Sequence, residues 1–205
     1  MKRILVIDDH AIVRSGVRRL LAALPQVELE DAESGEAALA LVERMPFQLA
    51  ILDLNLPGLG GPELLRRLLK ASPDLPVLVF SMIAEPVYVD RALRAGARGY
   101  VSKNAAPEEL LKAIHAVMAG QSYVEQELAL ELHAQSPDET YLRPLTNRDL
   151  EIMRLLAQGR SLTQIAQTLG VAYKTVANTC GHIKEKLGLA TTADLIRLSI
   201  DRGLG

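Results

Sequence analysis

The chain has 205 residues, 49% of them hydrophobic, and a formal net charge of −2. That size and apolar content suit one large or two small globular domains, and the charge lacks the basic excess that announces a nucleic-acid partner. One cysteine excludes an internal disulfide framework and fits a reducing cytoplasmic compartment. In the opening "MKRILVIDDH" two aspartates interrupt the apolar run too early for a secretory signal core. No stretch approaches the roughly 18 uninterrupted apolar residues of a membrane span.

Residues 1–120 alternate short apolar runs with amphipathic ones. "RILVI" (3–7) is a strand candidate, and "AIVRSGVRRLLAAL" follows it as a helix. The same pairing recurs as "VELEDA" with "GEAALALVERM", "LAILDL" with "GPELLRRLLKAS", "PVLVFS" with "EPVYVDRALRAG", and "RGYVS" with "APEELLKAIHAVMAG". Runs such as "ILVI" are apolar on both faces, as buried parallel strands are. The pattern predicts a doubly wound, five-stranded parallel α/β domain with helices on both sides. Residues 121–143 carry five acids and one base. Within them "EQELALELHA" has the make-up of a short helix, and "QSPDET" reads as linker. Residues 144–205 show no strand pattern. "LTNRDLEIMRLLAQG", "SLTQIAQTLG", "YKTVANTCGHIKEKLG" and "TTADLIRLSIDRG" read as four short helices with glycine-terminated turns. From residue 146 on, eight basic residues face five acidic ones, a local charge of +3. The expected organisation is therefore an α/β domain over 1–120, a linker over 121–143 and a small all-α domain over 144–205.

In an open parallel sheet, ligands bind outside the carboxyl ends of the strands. Asp8 and Asp9 end the first strand candidate and Asp53 ends the third. Three carboxylates in one crevice repel one another and invite a hard divalent cation, with Mg²⁺ the natural choice beside phosphate. Ser81 ends the fourth strand and Lys103 follows the fifth. Cation, hydroxyl, ammonium and carboxylate nucleophile are the parts needed to receive a phosphoryl group. His10 reads as solvent-facing or as a helix cap.

"VIDDH", "ILDLNLPGLGG", "VLVFS" and "GYVSK" resemble the receiver domain of bacterial two-component response regulators at all five strand ends. The resemblance implies that a sensor histidine kinase phosphorylates Asp53. It implies that Asp8, Asp9, Asp53 and the backbone carbonyl of Asn55 hold Mg²⁺, and that Ser81 and Lys103 contact the phosphoryl oxygens. Tyr100 fits the family's aromatic switch position, paired with Ser81, and Pro57-Gly58 fits the turn after the acceptor strand. Gly60, Met82 and Asn104 depart from the family's usual aspartate, small residue and proline.

In the all-α domain, "SLTQIAQTLGVAYKTVANTCGHIKEKL" reads as helix, tight turn, helix. In that motif the second helix enters the major groove of DNA. The wider stretch "LTNRDLEIMRLLAQGRSLTQIAQTLGVAYKTVANTCGHIKEKLG" resembles the LuxR-type helix-turn-helix across the whole domain, and joined to a receiver it resembles response regulators of the NarL/FixJ type. Val176, Cys180, Ile183 and Leu187 form one apolar stripe of the second helix, which makes Cys180 a small buried hydrophobe. Lys174, Thr175, Ala177, Asn178, Thr179, Gly181, His182 and Lys184 lie off that stripe, and the resemblance makes this side the DNA-reading face. Basic residues are common in the family at the positions of Ala177 and Gly181, and this helix offers few long donors there. Asn178 is suited to adenine, and Lys174 and Lys184 to phosphates. The last helix, with Leu195, Ile196, Leu198 and Ile200, has more apolar residues than one core face needs. The resemblance implies that it serves dimerisation on promoter DNA through Leu195 and Leu198, and plain packing onto the first helix of the domain is the alternative. These readings make the chain a phosphorylation-controlled transcription regulator and not a turnover enzyme. Two other classes fit parts of the pattern. One is a metal-dependent phosphotransferase using the same carboxylates, which the attached helix-turn-helix argues against. The other is a protein-binding helical module, which the depleted basic face leaves open.

Overall fold

A computed structural model describes residues 2–22, 26–57, 61–134 and 145–204. Gly58, Gly60 and the stretch from 135 through the expected domain start at 144 lie outside the described residues. The chain divides into two compact units, Met1–Ala134 and Gln135–Gly205.

The first unit alternates strand and helix: β1 (Lys2–Ile7), α1 (Ala11–Leu21), β2 (Val27–Ala32), α2 (Gly35–Arg44), β3 (Leu49–Leu52), α3 (Gly61–Ala71), β4 (Val77–Ser81), α4 (Pro86–Arg94), β5 (Gly99–Ser102) and α5 (Pro107–Met118). It ends with β6 (Tyr123–Val124) and α6 (Gln126–Ala134). All strand pairings are parallel, in the order β2-β1-β3-β4-β5-β6. Among the described residues the sheet therefore has six strands where five were expected. The sixth is two residues long, too short to leave an alternation pattern. It pairs Tyr123 with Gly99 and Val124 with Tyr100. A β-carbon on Gly99 would lie 2.8 Å from the Tyr123 carbonyl oxygen, so glycine lets the last strand close up.

Successive strand residues point to opposite faces, and both faces are buried. Leu5 and Ile7 join one core with Leu64, Leu65 and Leu68 of α3, Val89 of α4 and Leu128 of α6. Ile4 and Val6 join the other with Val17 and Leu21 of α1 and Ile114 and Val117 of α5. Burying each of these side chains contributes on the order of 2 kcal/mol before the entropy of ordering is set against it. Local signals agree with the packing. The Ser34 hydroxyl caps α2 by accepting from Ala37 N–H, and Pro86 and Pro107 open α4 and α5.

The second unit contains α7 (Asn147–Ala157), α8 (Leu162–Thr168), α9 (Tyr173–Leu187) and α10 (Thr192–Asp201). Thr146, Ser161 and Thr191 each start a helix with a reciprocal capping box, to Asp149, Gln164 and Asp194 respectively. Gly188 ends α9 in the left-handed conformation, φ 66°. Leu150, Ile152, Met153, Ile165, Val176, Ile183 and Leu195 are buried within this unit.

Candidate functional site

Chain order reverses across the sheet between β1 and β3, and there the crevice opens at the strands' carboxyl ends. Ile7 is paired with Leu52, so Asp8 and Asp53 leave the sheet side by side. The Asp53 N–H donates to the Ile7 carbonyl at 2.9 Å, and the Asp8 N–H to that of Ala32 at 3.1 Å. Asp8 and Asp53 are buried, Asp9 is exposed, and one ligand atom from each of Asp8, Asp9, His10 and Asp53 lies within 4.8 Å of the others. Two of the carboxylates share one cation: Lys103 Nζ is 2.6 Å from Oδ2 of Asp8 and 2.6 Å from Oδ2 of Asp53. Burial alone would lower the Lys103 pKa. Hydrogen bonds to Asp53 and Asp8, with their charges, outweigh that and hold it above the ordinary lysine value.

Backbone geometry fixes the remaining parts. The Asn55 N–H donates to Asp53 Oδ1 at 3.0 Å, turning the loop after the buried aspartate. A β-carbon on Gly61 would meet the Leu54 Cα at 2.2 Å, so α3 can start this close to the loop only with glycine there. Ser81 pairs with Ser102, and the Lys103 N–H donates to the Ser81 carbonyl at 2.9 Å. Ser81 Oγ is fully buried and accepts from Ile83 N–H at 3.3 Å. Tyr100 is fully buried, and its hydroxyl donates to the Ile83 carbonyl. Burial, followed by the negative charges of Glu85 and Asp53, pushes its phenol pKa far up, so the group stays a neutral donor. Met82 is half exposed beside Ser81, and the exposed Asn104 donates its N–H to Ser102 Oγ.

Asp8, Asp9, Asp53, Asn55, Ser81, Tyr100 and Lys103 are thus brought to one end of the sheet. Beside them lie three neighbours, of which sequence reasoning read His10 as solvent-facing or capping and passed over Arg14 and Glu125. His10 precedes α1 without capping it through its side chain, and its Nδ1 lies 2.9 Å from Asp9 Oδ1. Arg14 donates to the Asp8 carbonyl at 2.7 Å, and the Glu125 carboxylate accepts from Ser102 N–H at 2.8 Å. His10 was legible as a neighbour of the aspartate pair. Arg14 and Glu125 arrive from a helix face and from the junction of β6 and α6 and leave no local signal. The carboxylate oxygens fit a hard cation that keeps part of its water, because Asp9 and Asn55 are open to solvent.

On α9, Val176, Cys180 and Ile183 are buried and Leu187 half-buried. Burial pushes the Cys180 thiol pKa up against the opposing charge of Lys184. Lys174, Thr175, Asn178 and His182 are exposed, while Ala177, Thr179, Gly181 and Lys184 are half-buried. Thr179 Oγ1 donates to the Thr175 carbonyl at 2.9 Å, which ties its hydroxyl to its own helix. His182 Nδ1 lies 3.5 Å from Glu185. A β-carbon on Gly181 would meet nothing within 4 Å, so packing does not require this glycine. Leu195 corrects an expectation. It is fully buried beneath α10, which packs on α7, and is closed to a second copy. Leu198 is half-buried and Ile200 is 56% exposed.

No helix among the described residues is long and apolar enough to cross a membrane. Residues 4–115 match the response regulator receiver domain family, and residues 143–199 the luxR family of bacterial regulatory proteins. The transcriptional activator protein ExaE of Pseudomonas putida is 40% identical over 98% of this chain and 97% of its own length. The transcriptional regulatory protein UhpA of Escherichia coli is 36% identical over 98% of this chain and 99% of its own. Among solved structures, RcsB of Salmonella enterica serovar Typhimurium, bound to a promoter in the presence of the phosphomimetic beryllofluoride, aligns with a TM-score of 0.67 at 26% identity, covering 96% of both chains. With a receiver and a LuxR-type helix-turn-helix on one chain, this protein belongs to the NarL/FixJ-type response regulators, which are DNA-binding transcription regulators.

Proposed function

We propose that Asp53 is the phosphoacceptor and that its phosphorylation by a sensor histidine kinase controls DNA binding by the helical unit. The observation that carries this reading is the Lys103 ammonium shared between Asp53 and Asp8 at 2.6 Å each. A carboxylate oxygen of Asp53 forms the new O–P bond as the P–N bond to the donor histidine breaks. Lys103, already aimed at Asp53, offsets charge on the incoming phosphoryl oxygens, and the Ser81 hydroxyl offers them a donor. Asp8, Asp9, Asp53 and the Asn55 carbonyl would hold Mg²⁺, which supplies further charge neutralisation at those oxygens. Turning the Ser81 hydroxyl toward the phosphoryl oxygens shifts the oxygen that accepts from Ile83 N–H, and Ile83 is the residue whose carbonyl holds Tyr100. This gives a route by which the loop after β4 responds, so Ser81 and Tyr100 form the switch pair.

In the second unit, the exposed side of α9 reads promoter DNA through Lys174, Thr175, Asn178, Thr179, Gly181, His182 and Lys184. Leu198 and Ile200 of α10 are apolar groups available for pairing two copies. The RcsB relative has been described as dimers bound to DNA, and a homodimer on DNA is the arrangement proposed for this chain. Its buried free thiol suits the cytoplasm. The functional division is a receiver through α5, with β6 and α6 packed on it, then a linker and a DNA-binding domain from about residue 144.

The test treats the full chain with Mg²⁺ and a small-molecule phosphodonor, and separately with beryllofluoride. An acyl phosphate on Asp53 and a rise in promoter affinity are expected, and Asp53→Ala abolishes both. Equal promoter affinity with and without beryllofluoride would mean a regulator that does not use phosphorylation.

A further inference from the structure

Glu125 makes three connections at one point of the chain. Its N–H donates to the Tyr100 carbonyl at 3.1 Å, continuing the pairing of β6 with β5. Its carbonyl accepts from Ala129 N–H at 2.9 Å and so opens α6. Its carboxylate Oε2 accepts from Ser102 N–H at 2.8 Å. A polar side chain at the start of a helix ordinarily turns to that helix's own N–H groups. Here Oε2 turns back to β5 and binds the residue directly before Lys103. The group is 8% exposed, and burying a carboxylate this far is costly unless its hydrogen bonds are made. Ser102 N–H would otherwise be a β-strand donor without a partner, because β6 ends at Val124.

Two consecutive amides are therefore anchored at the end of β5: Ser102 N–H to the Glu125 carboxylate, and Lys103 N–H to the Ser81 carbonyl. Between them they set where the Lys103 side chain leaves the sheet. We infer that Glu125 is a positioning residue for Lys103: its carboxylate fixes the end of β5 so that the ammonium meets Asp53 and the phosphoryl group that Asp53 receives. The inference rests on the reading of Asp53 as phosphoacceptor. It assigns a role in phosphoryl transfer to a residue just past the sheet's last strand, which touches none of the reacting atoms.

The experiment measures the initial rate of Asp53 phosphorylation by acetyl phosphate with Mg²⁺ in the full chain, well below the thermal midpoint of each variant. Glu125→Ala and Glu125→Asp lose the reach to Ser102 N–H, and the rate is expected to fall on the order of tenfold, since small displacements of a positioning group are costly to transfer. Glu125→Gln keeps an acceptor oxygen at the same distance and is expected to stay within about twofold of the native rate. If the alanine variant does not fold, the aspartate variant carries the comparison. The decisive arm is the Lys103→Ala background, where Glu125→Asp is expected to change the residual rate no further, because the two residues act through one contact. Independent, multiplying effects of the two substitutions would reduce Glu125 to a structural residue and overturn the inference. A native rate in Glu125→Asp would overturn it as well, while leaving Asp53 as phosphoacceptor. A native chain that takes no phosphoryl group at Asp53 would bring down both readings.

Discussion

The Lys103 ammonium lies 2.6 Å from the Asp53 carboxylate, with its side chain 7% exposed and that of Asp53 1% exposed. The same nitrogen also holds Asp8. One cation thus offsets two buried anions that would otherwise repel. Replacing Lys103 by alanine is expected to destabilise the first unit at neutral pH by on the order of 3 kcal/mol, the scale for removing one partner of a buried ion pair. Urea unfolding without divalent cations measures the loss. Added Mg²⁺ is expected to raise the midpoint more in the variant than in the native chain, because the unpaired carboxylates become better ligands.

Tyr100 spans the gap between β5 and the loop after β4 through its bond to the Ile83 carbonyl. Tyr100→Phe keeps the ring and loses this bond, at an expected stability cost of about 1 kcal/mol. Phosphorylation of Asp53 should proceed at a near-native rate in the variant, while the gain in promoter affinity on adding beryllofluoride shrinks. A full gain in Tyr100→Phe, read by a binding titration, would remove Tyr100 from the switch.

Gly181 can be separated from folding. Its β-carbon position is empty, and alanine is favoured over glycine within a helix by about 1 kcal/mol. Gly181→Ala is therefore expected to stabilise the helical unit by roughly 0.5–1 kcal/mol, seen as a higher midpoint in thermal unfolding. Any loss of promoter affinity in this variant then reports approach to DNA and not damage to the domain.

Asn178 and Lys174 should fail differently. Asn178→Ala is expected to cost about 1–3 kcal/mol on the cognate site and little on unrelated DNA, as a base-edge contact does. Lys174→Ala should weaken all sequences alike and lower the slope of log affinity against log salt by about one. Parallel titrations at several salt concentrations distinguish the two. Equal loss on all sequences for Asn178→Ala would move base reading elsewhere on α9.

Asp149 ties α7 to α9 through Lys186 Nζ at 2.7 Å and closes the capping box with Thr146. Burial alone would raise its pKa, but the bonds from Lys186 and Thr146 outweigh that and hold it below the ordinary carboxylate value. A carboxylate with a lowered folded pKa contributes stability that is present above its ordinary value, 3.8, and is lost as pH falls through the folded value. The helical unit is therefore expected to lose stability progressively below about pH 4. Asp149→Asn should lower stability at neutral pH by about 1–2 kcal/mol and flatten the acid limb of the unfolding midpoint against pH. An unchanged acid limb would place the pH dependence on other carboxylates.

By itself the sequence determined the alternation of strands and helices, the strand-end positions of Asp8, Asp53, Ser81 and Lys103, and the glycine-terminated turns of the helical unit. These features are local: apolar runs, helical periodicity and cap chemistry act within a few residues, and the crevice residues follow from where each strand stops. Tertiary structure decided the features that rest on long-range pairing. A two-residue β6 exists only because β5 offers it an edge and Gly99 gives it room. Leu195 is core and not interface because α10 packs on α7, a choice the excess of apolar residues on that helix left open. Lys103 is shared between two carboxylates because β1, β3 and β5 all open their carboxyl ends onto one crevice, and Glu125 reaches Ser102 from 23 residues away. Contacts at that separation leave no period or motif in the chain, since they are specified by the packing of the sheet as a whole.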